Sequence, residues 1–140
     1  MPGEVEITIA SHPRWLRLAR SVVQGFCGTL DVADEQTQSI VVAVDEALSN
    51  VIKHAYAGDS SEFVTLSCAV EGNELIFEIR DKGRPFNPLD CEVPPPDELR
   101  PGGRGLYLMR EIMDEIDYRR DGDRNCVRLS KALEPSIRSS

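Results

Sequence analysis

The chain is poor in lysine and histidine, with only Lys53, Lys82 and Lys131 of the first and His12 and His54 of the second. It contains no GxxxxGK[ST] loop, no full GxGxxG after a strand pattern and no GxSxG elbow, which removes the Walker, Rossmann and serine-hydrolase designs. Its four cysteines, Cys27, Cys68, Cys91 and Cys126, include no CxxC pair, so a structural zinc site is not supported. Cys27, Cys68 and Cys126 have apolar neighbours and read as reduced core thiols. No uncharged run approaches the roughly 18 residues of a membrane span. Glu4 and Glu6 stand where a signal peptide would be basic, and the expected location is the cytoplasm. Positive charge is also short, 16 basic against 24 acidic residues for a net charge of -8. Such a surface repels phosphate backbones, and neither nucleic acid nor membrane is an expected partner.

What is present suits one packed domain spanning residues 1–140, with 41% hydrophobic residues and 10 glycines. Glu4 to Ala10 alternates, with Val5, Ile7 and Ile9 on one side, as in a half-buried strand. From His12 the period changes to three and four through Trp15, Leu18, Ala19, Val22 and Phe26, a first amphipathic helix with Pro13 in its opening turn. A longer helix starts after Asp34, read as its N-cap, and runs to about Ala57 before Gly58. Its apolar face is Ile40, Val41, Val44, Leu48, Val51, Ile52 and Ala55. Phe63 to Val70 and Glu74 to Asp81, joined by Glu71-Gly72-Asn73, read as a hairpin. Residues 82–103 hold Pro85, Pro88, Pro94, Pro95, Pro96 and Pro101 and read as a long loop. A third helix begins at Gly102-Gly103-Arg104-Gly105. Asp117 to Asp121 and Cys126 to Ala132 read as a second hairpin, and 134–140 as a short polar tail.

Three places along this plan carry chemistry. Glu46, Asn50 and His54, at i, i+4 and i+8 of the long helix, present a carboxylate, an amide and an imidazole beside the apolar face. The same stripe also reads as an ordinary solvated face. Arg80-Asp81-Lys82-Gly83 puts a carboxylate and a permissive glycine at a strand exit, a combination that serves a turn as readily as a ligand. Gly102 to Gly105 open a helix, where free N–H groups and the positive dipole end attract phosphate.

Their order is the specific signal. A helix with Glu46, Ala47, Asn50 and His54, a strand ending Asp81-Lys82-Gly83-Arg84-Pro85-Phe86-Asn87-Pro88, a loop, and Gly103-Arg104-Gly105-Leu106 resemble the N box and the two glycine boxes of the GHKL (Bergerat-fold) ATP-binding superfamily. Within it, Val44-Asp45-Glu46-Ala47-Leu48-Ser49-Asn50, His54-Ala55-Tyr56, the PFNP tetrad, and Gly105-Leu106 leading to Met113-Asp114-Glu115 resemble the anti-sigma factor serine-protein kinases of the RsbW/SpoIIAB type. The resemblance covers about residues 5–132. It implies an α/β two-layer sandwich, a mostly antiparallel mixed sheet with three helices on one face. It implies ATP and Mg²⁺ as cofactors, with Asn50 as metal ligand and Glu46 as general base. Asp81 would accept from the adenine amino group and Gly83 would permit close approach. Gly103, Arg104, Gly105 and Leu106 would meet the phosphates under a lid at about residues 84–104. The implied role is partner switching: a homodimer sequesters a sigma factor and phosphorylates a STAS-type anti-anti-sigma factor on serine or threonine. A nucleotide-binding interaction module without phosphotransfer is the alternative. The detached ATPase domain of a sensor histidine kinase is disfavoured, since no phosphoacceptor-histidine helix pair precedes the domain.

The sequence departs from that superfamily at two points. Arg124-Asn125-Cys126 stands where a Gly-Thr pair normally approaches the adenine, and Pro94-Pro95-Pro96 stiffens the lid. Separately, Arg14, Arg17 and Arg20 recur at three on the first helix of an acidic protein. They read either as a solvated face or as a docking surface for an acidic partner.

Overall fold

A computed structural model describes residues 3–90 and 104–133, and shows five strands and three α-helices. Strand β1 (Val5–Ala10) leads through a 3₁₀ turn (Pro13–Trp15) into α1 (Leu16–Thr29), followed by α2 (Asp34–Asn50) and a π-helical turn (Val51–Ala55). Then come β2 (Phe63–Glu71), β3 (Glu74–Asp81), α3 (Arg104–Ile112), β4 (Glu115–Asp121) and β5 (Arg124–Ala132). The sheet order is β1-β2-β3-β5-β4, and every ladder is antiparallel. This is the two-layer α+β sandwich expected, with all three helices on one face.

Alternation decides which face is covered. Val64, Leu66 and Cys68 of β2 and Leu75, Phe77 and Ile79 of β3 turn toward the helices, together with Val127 and Leu129 of β5, and all are buried. The whole expected apolar face of the long helix, Ile40 through Ala55, is buried as well. Phe77 receives the edge of Phe26 at 5.8 Å between ring centroids, tying α1 to the sheet centre. The opposite face is polar. There the Arg80 guanidinium donates to Glu6 Oε2 at 2.8 Å and to Ser67 Oγ at 2.7 Å.

The structure corrects several local expectations. Asp34 is the first residue of α2 and Ala33 its N-cap, with no side-chain cap bond; the Asp34 charge still favours the positive end of the helix dipole. Trp15 and Leu18 are 41% and 49% exposed, whereas Leu16, Ala19, Val23, Phe26 and Cys27 form the buried side of α1. The buried stripe begins at Leu16 and shares Ala19 and Phe26 with the expected one, while Trp15 lies in the preceding 3₁₀ turn. Cys126, though buried, belongs to the open face, paired in register between Arg80 and Arg119, and is shielded by long charged side chains rather than by the core. Cys27 and Cys68 are free thiols in the core, where burial pushes them up to about 11 and about 12. Among the described residues no helix is long and apolar enough to cross a membrane. Cys91, most of the expected lid including Pro94 to Pro96, and the tail lie outside the described residues.

Candidate functional site

The long helix supplies one wall. Glu46 and Asn50 stand one turn apart near its C-terminal end, both partly exposed. Neither side chain hydrogen-bonds a protein group among the described residues. Glu46 reaches across to the start of α3: a Cβ placed on Gly105 would lie 2.5 Å from Glu46 Oε2. The carboxylate therefore rests against the first turn of α3, and the missing side chain at Gly105 makes room for it. A sequence reading for backbone–phosphate approach does not reveal this second reason for the glycine.

Directly after Asn50 the helix loosens into the π turn, where the Tyr56 N–H donates to Val51 O at 2.9 Å, five residues back. Single π turns are rare and concentrate at functional sites. Here the turn delivers two carbonyls to the first glycine segment: Ala55 O accepts from Arg84 N–H and His54 O from Arg84 Nε–H, at 2.9 and 2.8 Å. The His54 ring stacks on Phe86 at 4.7 Å. The imidazole anchors the PFNP segment rather than completing a triad with Glu46 and Asn50. Gly83 packs on the same turn, since a Cβ there would lie 2.5 Å from Ala55 O. Its first duty is this contact between protein backbones.

Strand β3 supplies the third group. Asp81 is only 4% exposed at the strand exit. Its Oδ1 accepts from Gly83 N–H at 2.8 Å and from Asn125 Nδ2 at 2.9 Å. Burial pushes its carboxyl above the usual carboxylate range, against the downward pull of the Asn125 and Gly83 bonds and the Arg120 charge. Oδ2 accepts nothing among the described residues, yet it is not among the unpartnered atoms sealed from solvent. One oxygen is saturated, and the other has no donor among the described residues. Beside it the Tyr56 hydroxyl accepts from Lys82 N–H at 2.8 Å and donates to Phe63 O at 2.6 Å, closing the strand ends together.

The fold thus gathers Glu46, Asn50, Asp81, Gly83 and Gly105 on α2, the β3 exit and the start of α3. Arg104 opens α3, and Leu106 is buried, so only its backbone is open to a ligand. Gly103 lies outside the described residues. Asn125, expected in a turn and flagged only as a departure from the Gly-Thr pair, is the second residue of β5, 1% exposed and paired in register with Asp81. Sequence reasoning missed Arg120, whose Nη1 donates to Gly83 O at 2.7 Å.

These donors suit a magnesium nucleotide. Among the described residues no three His, Cys, Asp or Glu side chains converge as a metal cage. A lone amide such as Asn50 matches an ion that takes one or two protein ligands and draws the rest from phosphates and water. The Oδ2 of Asp81 matches an amino donor, and the helix start at Gly105 an anion.

Known proteins are similar to this chain in sequence and in fold. Residues 9–131 match the histidine kinase-like ATPase domain. The chain is similar to the anti-sigma F factor of Anoxybacillus flavithermus, 29% identical over 141 residues that cover 97% of each chain. It is likewise similar to the serine-protein kinase RsbW of Bacillus subtilis, 28% identical over 120 residues, 80% of this chain and 75% of that one. In fold it resembles a crystal structure of RsbU and RsbW domains from Mycobacterium tuberculosis, with a TM-score of 0.69 at 18% identity. The match covers 94% of this chain and 32% of that one. With the boxes in order, the site assembled and the match spanning nearly all of its length, the chain belongs to the histidine kinase-like ATPase domain family, among its RsbW-type serine-protein kinases and anti-sigma factors.

Proposed function

We propose that the protein binds Mg-ATP between α2, the β3 exit and the start of α3, and transfers the γ-phosphoryl group to a serine or threonine of an antagonist protein. The single observation that carries this is Glu46: a carboxylate held against the first turn of α3 with no hydrogen-bond partner among the described residues, one helical turn from Asn50. Binding alone has no use for a base at that place. Glu46 takes the proton of the attacking hydroxyl as its oxygen bonds to the γ-phosphorus and the bond to the β-phosphate oxygen breaks. Asn50 would hold Mg²⁺ through its amide oxygen, and the ion would neutralise phosphate charge. Asp81 Oδ2 accepts from the adenine amino group, and the N–H groups opening α3 orient the phosphates.

In the same reading the protein, a cytoplasmic homodimer, sequesters a sigma factor, and the phosphorylated protein is a STAS-type anti-anti-sigma factor that would otherwise displace it. The names of the relatives support this pairing of roles. The sigma factor docks on the outer face of the segment that leads into and opens α1, where exposed Trp15 and Leu18 neighbour Arg14 and Arg17 in the chain. The deciding experiment is Glu46→Gln. ATP binding should persist, because the site keeps its shape, while phosphotransfer to the antagonist is lost. Transfer at the wild-type rate would reassign Glu46 and favour a nucleotide-binding module without chemistry.

A further inference from the structure

Asn125 is buried in a row of registered residues: Arg120 on β4 faces Asn125 on β5, which faces Asp81 on β3. Its amide is fully engaged. Oδ1 accepts from the Tyr118 hydroxyl at 2.5 Å and from Arg120 Nη1 at 3.1 Å. Nδ2 donates to Asp81 Oδ1 and to Arg84 O, both at 2.9 Å. The two groups on the oxygen side can supply protons, while a carboxylate and a carbonyl can only accept, so one orientation of the amide satisfies all four contacts. The side chain cannot flip without opposing like groups, and within a buried network such a mismatch is costly.

We propose that Asn125 is a positioning residue for base selection. Held by Tyr118 and Arg120, its amide occupies Oδ1 of Asp81 and leaves Oδ2 as the one acceptor for the base of a purine nucleoside triphosphate. Adenine presents an amino donor at position 6 and guanine a carbonyl acceptor. Where position 6 of the base faces it, a carboxylate offered through one fixed oxygen therefore binds the first and repels the second. An Asp81 free to turn would share its oxygens between Gly83 N–H, water and the base, and the preference would weaken. The Gly-Thr pair common in this superfamily is thus replaced by a residue that acts on the carboxylate rather than on the nucleotide. Arg120 extends the clamp, since it donates both to Asn125 and to Gly83 O.

The inference rests on the reading of this site as an ATP site, and titrations of Mg-ATP and Mg-GTP against four proteins test the two separately. In Asn125→Ala, ATP affinity should fall about tenfold, the scale of a weakened charge-assisted hydrogen bond. GTP affinity, which never used Oδ2 as an acceptor, should hold, so the ATP preference shrinks. Tyr118→Phe deletes one hydroxyl, keeps the ring packing and should move the preference the same way by a few-fold; it serves if the alanine variant does not fold. Asn125→Asp sets two carboxylates face to face, and ATP affinity should then fall as pH rises and their shared proton is lost. A purely structural Asn125 would weaken both nucleotides together and leave their ratio intact. That result, with wild type still binding ATP, overturns the positioning role alone. A wild-type protein that binds neither nucleotide overturns the positioning role together with the ATP reading.

Discussion

Gly83 lies so close to Ala55 that a Cβ on it would stand 2.5 Å from the Ala55 carbonyl oxygen and 2.6 Å from its carbonyl carbon. The same oxygen accepts from Arg84 N–H at 2.9 Å. The end of the long helix and the exit of β3 are therefore joined backbone to backbone.

Gly83→Ala should lower stability by about 1–3 kcal/mol, the usual scale of overpacking. The obstructing atoms are backbone and cannot rotate aside. In urea the midpoint should fall with little change in slope. A midpoint equal to wild type would mean that the segment shifts freely and is not the rigid joint described.

Gly105→Ala should behave differently, although a Cβ there meets its neighbour at the same 2.5 Å. The neighbour is the tip of Glu46, which can swing away, and alanine is the better helix residue by up to about 1 kcal/mol. The variant should melt at or above the wild-type temperature. Its phosphotransfer should fall by about 100-fold, as expected when a reacting group is displaced by an ångström. Normal transfer rates would show that the resting position of Glu46 is not its working one.

Asp81 gives a pH dependence with a definite sign. Its carboxyl is raised above the ordinary value, burial being the largest cause, so the native state holds this proton more tightly than the unfolded chain does. Below the ordinary carboxylate pKa both states are protonated and the group's contribution is fully present. As pH climbs from there to the raised native value it is lost, and the ionised form opposes folding. The stability difference between Asp81→Asn and wild type should thus grow in favour of the variant across that window, read by denaturation at a series of pH values. The variant should nevertheless bind ATP less well, having exchanged a charged acceptor for a neutral amide. A difference constant with pH would show that folding leaves the Asp81 carboxyl at its unfolded-state pKa.

How much of this could be read from the sequence follows the range of the interactions involved. The buried face of the long helix, both hairpins and the strand-to-helix order were legible because periodicity and glycine turns are local properties. Glu46, Asn50 and Asp81 were legible because their spacing and order match a known pattern. The π turn after Asn50 was not, since nothing in Val51 to Ala55 distinguishes it from a regular helix; its carbonyls instead meet Arg84 from thirty residues away. Asn125 was legible only as a departure from the Gly-Thr pair, because its bond to Asp81 runs across the sheet. Arg20 illustrates the same limit: expected with Arg14 and Arg17 as one basic stripe, it bridges to Asp45 on α2 at 3.0 Å, and only the other two remain exposed without an ion pair among the described residues.

That division of the arginines shapes the test of the docking face. Trp15 is the only tryptophan in the chain and is 41% exposed between Arg14 and Arg17. Its fluorescence therefore reports on that face alone. On addition of the cognate sigma factor its emission should move to shorter wavelength as the indole leaves water. Arg14→Ala with Arg17→Ala should slow association and steepen no other property, and the loss should shrink at high salt, as for charges at an interface rim. Arg20→Ala should instead act within the fold, costing at most about 1 kcal/mol because its bridge to Asp45 is partly solvated. All three changes should leave ATP binding at the wild-type level, since α1 contributes no group to the site. If sigma factor binds with no change in Trp15 emission and with equal affinity for the double variant, these arginines form a solvated face and the partner docks elsewhere on the molecule.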